Sequence, residues 1–216
     1  MNRSKKDRIL DAAEQLFSER GFDGVSMRNV ADTAEVGLGL VTYHFTTKDV
    51  LFEDVVTRRA EVLNSERRKL LSELDNPSLE ELLEAFFEPY RRFIASGSKG
   101  WRAYARLHAI LTQDSRWTDL AARSFGAVAL EMVERIMMAE PAISRGEAVR
   151  GYVHVIGIMV SVFAETGLID RFSDGAISSR DVATSISPMV RFGAAGIRAL
   201  AISETAASAP LVTLNS

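Results

Sequence analysis

The chain has 216 residues with a net charge of −3, 47% of them hydrophobic and a quarter charged. That is enough for one or two domains with a sizeable core, and too apolar for a disordered chain. No position is cysteine, which excludes disulfides and thiolate metal sites and leads us to expect a cytoplasmic protein.

The first expected helix, 4–20, opens with Ser4 and Asp7 spaced as a capping pattern. It begins at MNRSKKDR, an amphipathic and basic start unlike the apolar run of an export signal. Arg3, Lys5, Lys6 and Arg8 gather positive charge there, and Gly21 ends the pattern. A short helix over 26–33 follows, capped by Ser26, with Val30 and Ala31 inward and Arg28 outward in its first turn. Glu35-Val36-Gly37 then breaks the pattern, Gly37 being free to adopt a turn conformation closed to other residues.

The next helix, 38–44, has Val41 and Phe45 as its inner stripe. Thr42, Tyr43, His44 and, at the head of the following helix, Lys48 remain outward and can donate hydrogen bonds to phosphate oxygens. Leu38, Gly39 and Leu40 cannot hydrogen-bond base edges through their side chains. They suit thymine-methyl contact and close backbone approach. Two short helices joined by a tight turn, the second with this outer face, suit a helix-turn-helix whose second helix lies in a DNA major groove, with Ser26, Arg28, Gly37, Leu38, Gly39, Leu40, Thr42, Tyr43, His44 and Lys48 as the candidate DNA contacts. Affinity for double-stranded DNA then rests on locally placed cations, not on the acidic total.

Residues 8–52, RILDAAEQLFSERGFDGVSMRNVADTAEVGLGLVTYHFTTKDVLF, resemble the DNA-binding domain of the TetR family of bacterial transcriptional regulators. The resemblance is carried by the RILDAAEQLFSERGF opening, Ser26 with Val30-Ala31, the turn at Val36, Tyr43-His44-Phe45, and Lys48-Asp49 before Leu51-Phe52. The sequence departs from the usual pattern at Glu35, at Gly37-Leu38 and at Thr42. The resemblance implies a dimer that binds an operator and releases it when a small molecule binds the remainder of the chain.

That remainder is expected to be helical over 47–74, 78–96, 101–113, 117–139, 144–167 and 178–201. Ser78 with Glu81, Ser144 with Glu147 and Ser178 with Asp181 are spaced as capping boxes. Asn76-Pro77, Ser96-Gly97-Ser98 and Glu140-Pro141 mark breaks, and Pro89 and Pro188 should kink their helices. No run of 18 apolar residues lacks charged or small polar members, so no membrane association is expected.

Large apolar groups crowd the middle of the chain. Phe86, Tyr90, Phe93, Trp101, Tyr104, His108, Trp117, Phe125 and Phe163 are the candidate lining of an effector cavity, with Arg106 and Gln113 as further polar groups. Taken singly, each is equally at home in a packed core. The last two long segments are apolar and rich in small residues, allowing close helix approach. Such a pair can be the central hairpin of a single chain; the resemblance implies instead a hairpin that pairs with its twin, with Gly151, Val155, Met159, Met189, Phe192, Gly193, Gly196 and Ile197 as the candidate dimer interface.

The expected architecture is therefore all-α. A three-helix DNA-binding domain occupies 1–52, a ligand-binding and dimerisation domain 53–202, and a loosely ordered tail 203–216. Catalysis, a metal and a cofactor are not expected, because His44, His108 and His154 are scattered and no phosphate loop is present. The functional expectation is a transcriptional regulator, most simply a repressor released by a mostly apolar effector. A DNA-binding protein with no effector, and an effector-binding protein that has lost DNA binding, remain open.

Overall fold

The computed structural model describes residues 4–201. Arg3 and the expected tail at 203–216 lie outside the described residues. Ten α-helices and one 3-10 turn make up the fold, and no strand occurs among the described residues. Helix α1 (Lys5–Arg20), α2 (Met27–Thr33) and α3 (Leu38–His44) form the head, joined by the first turns of α4 (Lys48–Ser72). The body contains α5 (Leu79–Ala95), α6 (Lys99–Gln113), the 3-10 turn Ser115–Trp117, α7 (Thr118–Ala139), α8 (Arg145–Phe163), α9 (Leu168–Phe172) and α10 (Val182–Leu200).

Local chemistry accounts for most of these ends. Ser78 and Ser144 each accept from the backbone amide three residues on, and the carboxylates of Glu81 and Glu147 reach back to the serine amides. Ser26 closes a further capping box with Asn29 at the start of α2. The spacing Ser178–Asp181 is not a box. Asp181 itself caps α10 by accepting from the Thr184 amide, while the Ser178 hydroxyl turns to Asp170. The helix expected over 144–167 stops at Phe163, because Glu165 and Gly167 take left-handed backbone (φ 48° and 76°) and lead into α9. Pro89 and Pro188 lie inside α5 and α10, which continue through them.

One core runs from head to body. The expected boundary at 52/53 falls inside α4, where Leu51, Phe52, Val55 and Val56 are fully buried, so the two parts share a helix instead of a linker. Helix α1 packs on α6 as well as on α4, and α10 packs on α5 and α8. The α1–α4 contact is fastened by charge. Arg58 and Arg59 both donate to the buried Glu14 carboxylate at 2.8–2.9 Å, and Arg58 also reaches Asp11 at 2.9 Å. Burial raises the Glu14 pKa, opposed by the two guanidinium groups. Helix α8 has the length and mean hydropathy (1.2) of a membrane span, yet it lies against α6, α7 and α10 within the bundle.

Candidate DNA interface and ligand cavity

The head presents α3 outward. Val41 and Phe45 are fully buried, whereas Tyr43 on the opposite side is 79% exposed. Leu38, Gly39 and Thr42 are exposed, and Leu40 and His44 half-buried. A Cβ at Gly37 or Gly39 would meet nothing within 4 Å, so bare backbone forms the surface there. The Thr42 hydroxyl donates back to the Leu38 and Gly39 carbonyls at 3.2–3.3 Å. Arg28 projects from α2 into solvent.

Three of the candidate DNA contacts, Gly37, Ser26 and Lys48, are placed differently from expectation. Gly37 is extended (φ −68°), and the left-handed residue of the turn is Glu35 (φ 53°). Arg8 makes that conformation tenable by donating to the Ala34 and Glu35 carbonyls at 2.5 and 3.3 Å. The Ser26 hydroxyl is taken up by its capping box, accepting from the Asn29 amide at 3.1 Å and donating to the Asn29 side chain at 2.8 Å. Lys48 does not extend toward solvent. Its ammonium donates to the Phe22 and Val25 carbonyls, both at 2.9 Å, and sits 4.2 Å from the Phe22 ring centre. Lys48 thus staples the turn between α1 and α2.

In the body, a cavity of about 490 Å³ lies among α4, α6, α7 and α8. Of the nine expected lining residues only His108 and Phe125 face it, stacked on one another at 4.4 Å between ring centres. Phe86, Tyr90, Phe93, Trp101, Tyr104 and Phe163 are packed elsewhere. Phe93 and Trp101, for example, stack together at 4.0 Å. Arg106 turns instead to Glu165, 3.9 Å away. Sequence reasoning missed Arg67, Leu111, Tyr152 and Ile156, which do line the cavity. Tyr90 supports it from behind, its hydroxyl 2.5 Å from His108 Nδ1. Burial lowers the His108 pKa to about 3, so the ring is neutral at physiological pH.

Trp117 belongs to the joint between body and head. Its ring packs against Phe22 and Phe52, with centroids 4.8 and 4.4 Å away. The neighbouring Arg116 donates to Asp23 of the head at 2.8 and 3.1 Å and to Asp114 at 2.7–3.2 Å. Asp114 and Ser115, two and one residues before Arg116, border the cavity.

This division of the chain coincides with two family models. Residues 9–55 match the bacterial regulatory proteins of the tetR family, and residues 84–196 match the tetracyclin repressor-like C-terminal domain. The chain belongs to the TetR family. Over 89 residues it is 33% identical to a probable HTH-type transcriptional regulator, YttP, of Bacillus subtilis, spanning 41% of this chain and 43% of YttP. Over 60 residues it is 35% identical to IcaR of Staphylococcus aureus, the negative transcriptional regulator of the biofilm operon icaADBC, spanning 28% and 32% of the two chains. These matches cover less than half of either relative. Solved structures carry the fold across the whole chain. The fatty acid degradation regulator FadR from Bacillus halodurans superposes with a TM-score of 0.67, covering 92% of this chain and 98% of that one at 16% identity. The multidrug binding protein EbrR, complexed with malachite green, gives 0.57 over 85% and 98% at 22% identity.

In this TetR-family chain the expected dimer residues fall into two groups. Gly151, Val155, Met159, Met189, Gly193 and Ile197 are buried in the seam between α8 and α10 of a single chain. A Cβ on Gly193 would stand 3.0 Å from Val155, and one on Gly151 would stand 2.8 Å from Ile197. Their small size serves packing within the chain. Phe192, 70% exposed, and Gly196, with open space before it, face outward, as does Val153 at 58%. The sequence stripe was real, but helical periodicity cannot tell an intrachain seam from an interchain one.

Proposed function

We propose that the protein is a homodimeric, cytoplasmic, one-component transcriptional repressor that leaves its operator when a small, mostly apolar effector enters the body cavity. The observation that carries this reading is the 3-10 turn. Asp114 and Ser115 border the cavity, and the next two residues, Arg116 and Trp117, grip the head. A ligand that displaces this turn moves Phe22 and Phe52, and with them Lys48, whose ammonium holds the Phe22 and Val25 carbonyls beside the Ser26 cap of α2. Release follows when the ligand binds the displaced arrangement more tightly than the DNA-competent one.

On the DNA side, Tyr43, His44 and Arg28 reach phosphates or bases, and Leu38, Gly39 and Leu40 meet thymine methyls. Gly37 lets the backbone approach closely, and Thr42 adds polar readout beside Arg28. Two heads must act together, and the outward face carrying Phe192 and Gly196 pairs with its copy on a second chain. The likeness to IcaR, a negative regulator, and to EbrR, a multidrug binding protein, supports repression and an apolar effector.

The test is to select bound fragments from a genomic DNA library and then challenge the complex with a panel of apolar and amphipathic compounds. At least one compound should raise the melting temperature and release the DNA. If all stabilising compounds leave the complex intact, the protein binds DNA without effector control. If no fragment is selected, the DNA reading fails.

A further inference from the structure

Arg67, in the middle of α4, is only 2% exposed, and no carboxylate pairs with it among the described residues. Its Nε donates to the Phe86 carbonyl at 3.0 Å, and its guanidinium lies 3.8 Å from the centre of the Phe86 ring and 5.5 Å from that of Tyr90. Nη2 is buried with no hydrogen-bond partner. A buried cation held only by a carbonyl and aromatic faces is costly, and such groups ordinarily find an anion. Burial lowers its pKa, and the titratable groups around it are the tyrosines Tyr90, Tyr152 and Tyr104, with no acid among them.

This side chain lines the cavity. The one other residue of formal charge on the lining, Asp114, is already engaged by Arg116. His108 is neutral, and much of the remaining wall, including Leu111, Phe125 and Ile156, is apolar. The cavity therefore offers an apolar chamber with a single unsatisfied guanidinium in its wall.

We propose that Arg67 is the anion-binding residue of this cavity, and that the effector is a monocarboxylate with an apolar body, its carboxylate paired with the guanidinium. The inference rests on the reading of the cavity as an effector site. A single guanidinium matches one carboxylate in charge and in fork geometry.

Dodecanoate and 4-biphenylcarboxylate, each beside its neutral primary amide, test this by calorimetric titration of the full-length protein. Each carboxylate should bind about tenfold or more tightly than its amide, the range of a charge-assisted hydrogen bond. In Arg67→Met, which removes the buried charge while retaining bulk, that preference should fall to within about twofold, with amide binding kept. Arg67→Lys, which retains charge without the fork, should keep part of the preference and guards against a variant that fails to fold. Amides binding as well as carboxylates to the unaltered protein, or a preference that survives in Arg67→Met, overturns the role of Arg67 and leaves the apolar cavity standing. Binding of none of the four probes overturns both.

Discussion

Trp117 stacks on Phe52 with ring centres 4.4 Å apart, so the turn that closes the cavity wall also packs on the first turns of α4. The Phe22 ring completes the joint, edge-on to both. Aromatic contacts of this kind fix orientation as well as distance. A shift of the 3-10 turn therefore reaches the head without passing down the length of a helix.

Trp117→Leu should weaken that transmission. Leucine retains apolar bulk but loses the planar contact with Phe22 and Phe52. Operator binding without effector and effector binding without operator should both persist. Their coupling, ordinarily about 1–3 kcal/mol in such systems, should shrink. Operator affinity measured with and without a saturating effector checks this, and an undiminished ratio places the transmission elsewhere.

Lys48 is expected to act on the fold of the head. Replacing it with methionine strips the Phe22 and Val25 carbonyls of their shared donor, at a cost of about 1.5–3 kcal/mol. Urea unfolding should show the loss directly. Tyr43→Phe makes the contrast, because its exposed hydroxyl has no hydrogen-bond partner among the described residues. That variant should keep its urea midpoint and bind the operator more weakly.

The two glycines of α10 should separate. Gly196→Leu adds bulk to an outward face with open space before it, so the chain should fold normally and sediment as a monomer with poor operator affinity. Gly193→Leu forces a side chain against Val155, 3.0 Å from the new Cβ, and should destabilise the chain itself by about 1–3 kcal/mol. Melting curves and sedimentation on both variants distinguish the effects. A folded dimer for Gly196→Leu places the interface elsewhere.

His108 makes stability depend on pH in a definite direction. Its folded pKa is lowered to about 3 by burial, below the ordinary value of 6.5. Between these values the unfolded chain holds a proton here that the folded chain does not. Stability is therefore full above about pH 6.5 and falls by about 1.4 kcal/mol per pH unit as the medium becomes more acid. His108→Gln keeps an acceptor for the Tyr90 hydroxyl and removes the titration. Its loss of stability between pH 7 and pH 5 should be about 2 kcal/mol smaller than that of the unaltered chain, as read from urea midpoints.

The head was legible because its information is local. Val41 and Phe45 announce the buried side of α3 by spacing, Tyr43 falls opposite them, and Ser4 and Ser26 announce the starts of α1 and α2. What could not be read depends on partners far along the chain. Lys48 meets carbonyls 23 and 26 residues earlier, and Arg8 supports Glu35 from 27 residues away. A cavity is a property of several helix faces at once. That is why seven of the nine large groups assigned to its wall turned out to be packed elsewhere, while Arg67, which looks in sequence like one more solvated cation of α4, faces into it.

The outward face bearing Phe192 and Gly196 has a bearing on gene dosage. Apolar surface that one chain cannot cover for itself is covered only when copies meet, so under the proposed pairing the fraction of operator-competent protein rises with expression level by mass action. A promoter controlled by such a molecule would respond to the abundance of its repressor more steeply than in simple proportion, since each occupied operator requires two chains to have found one another first.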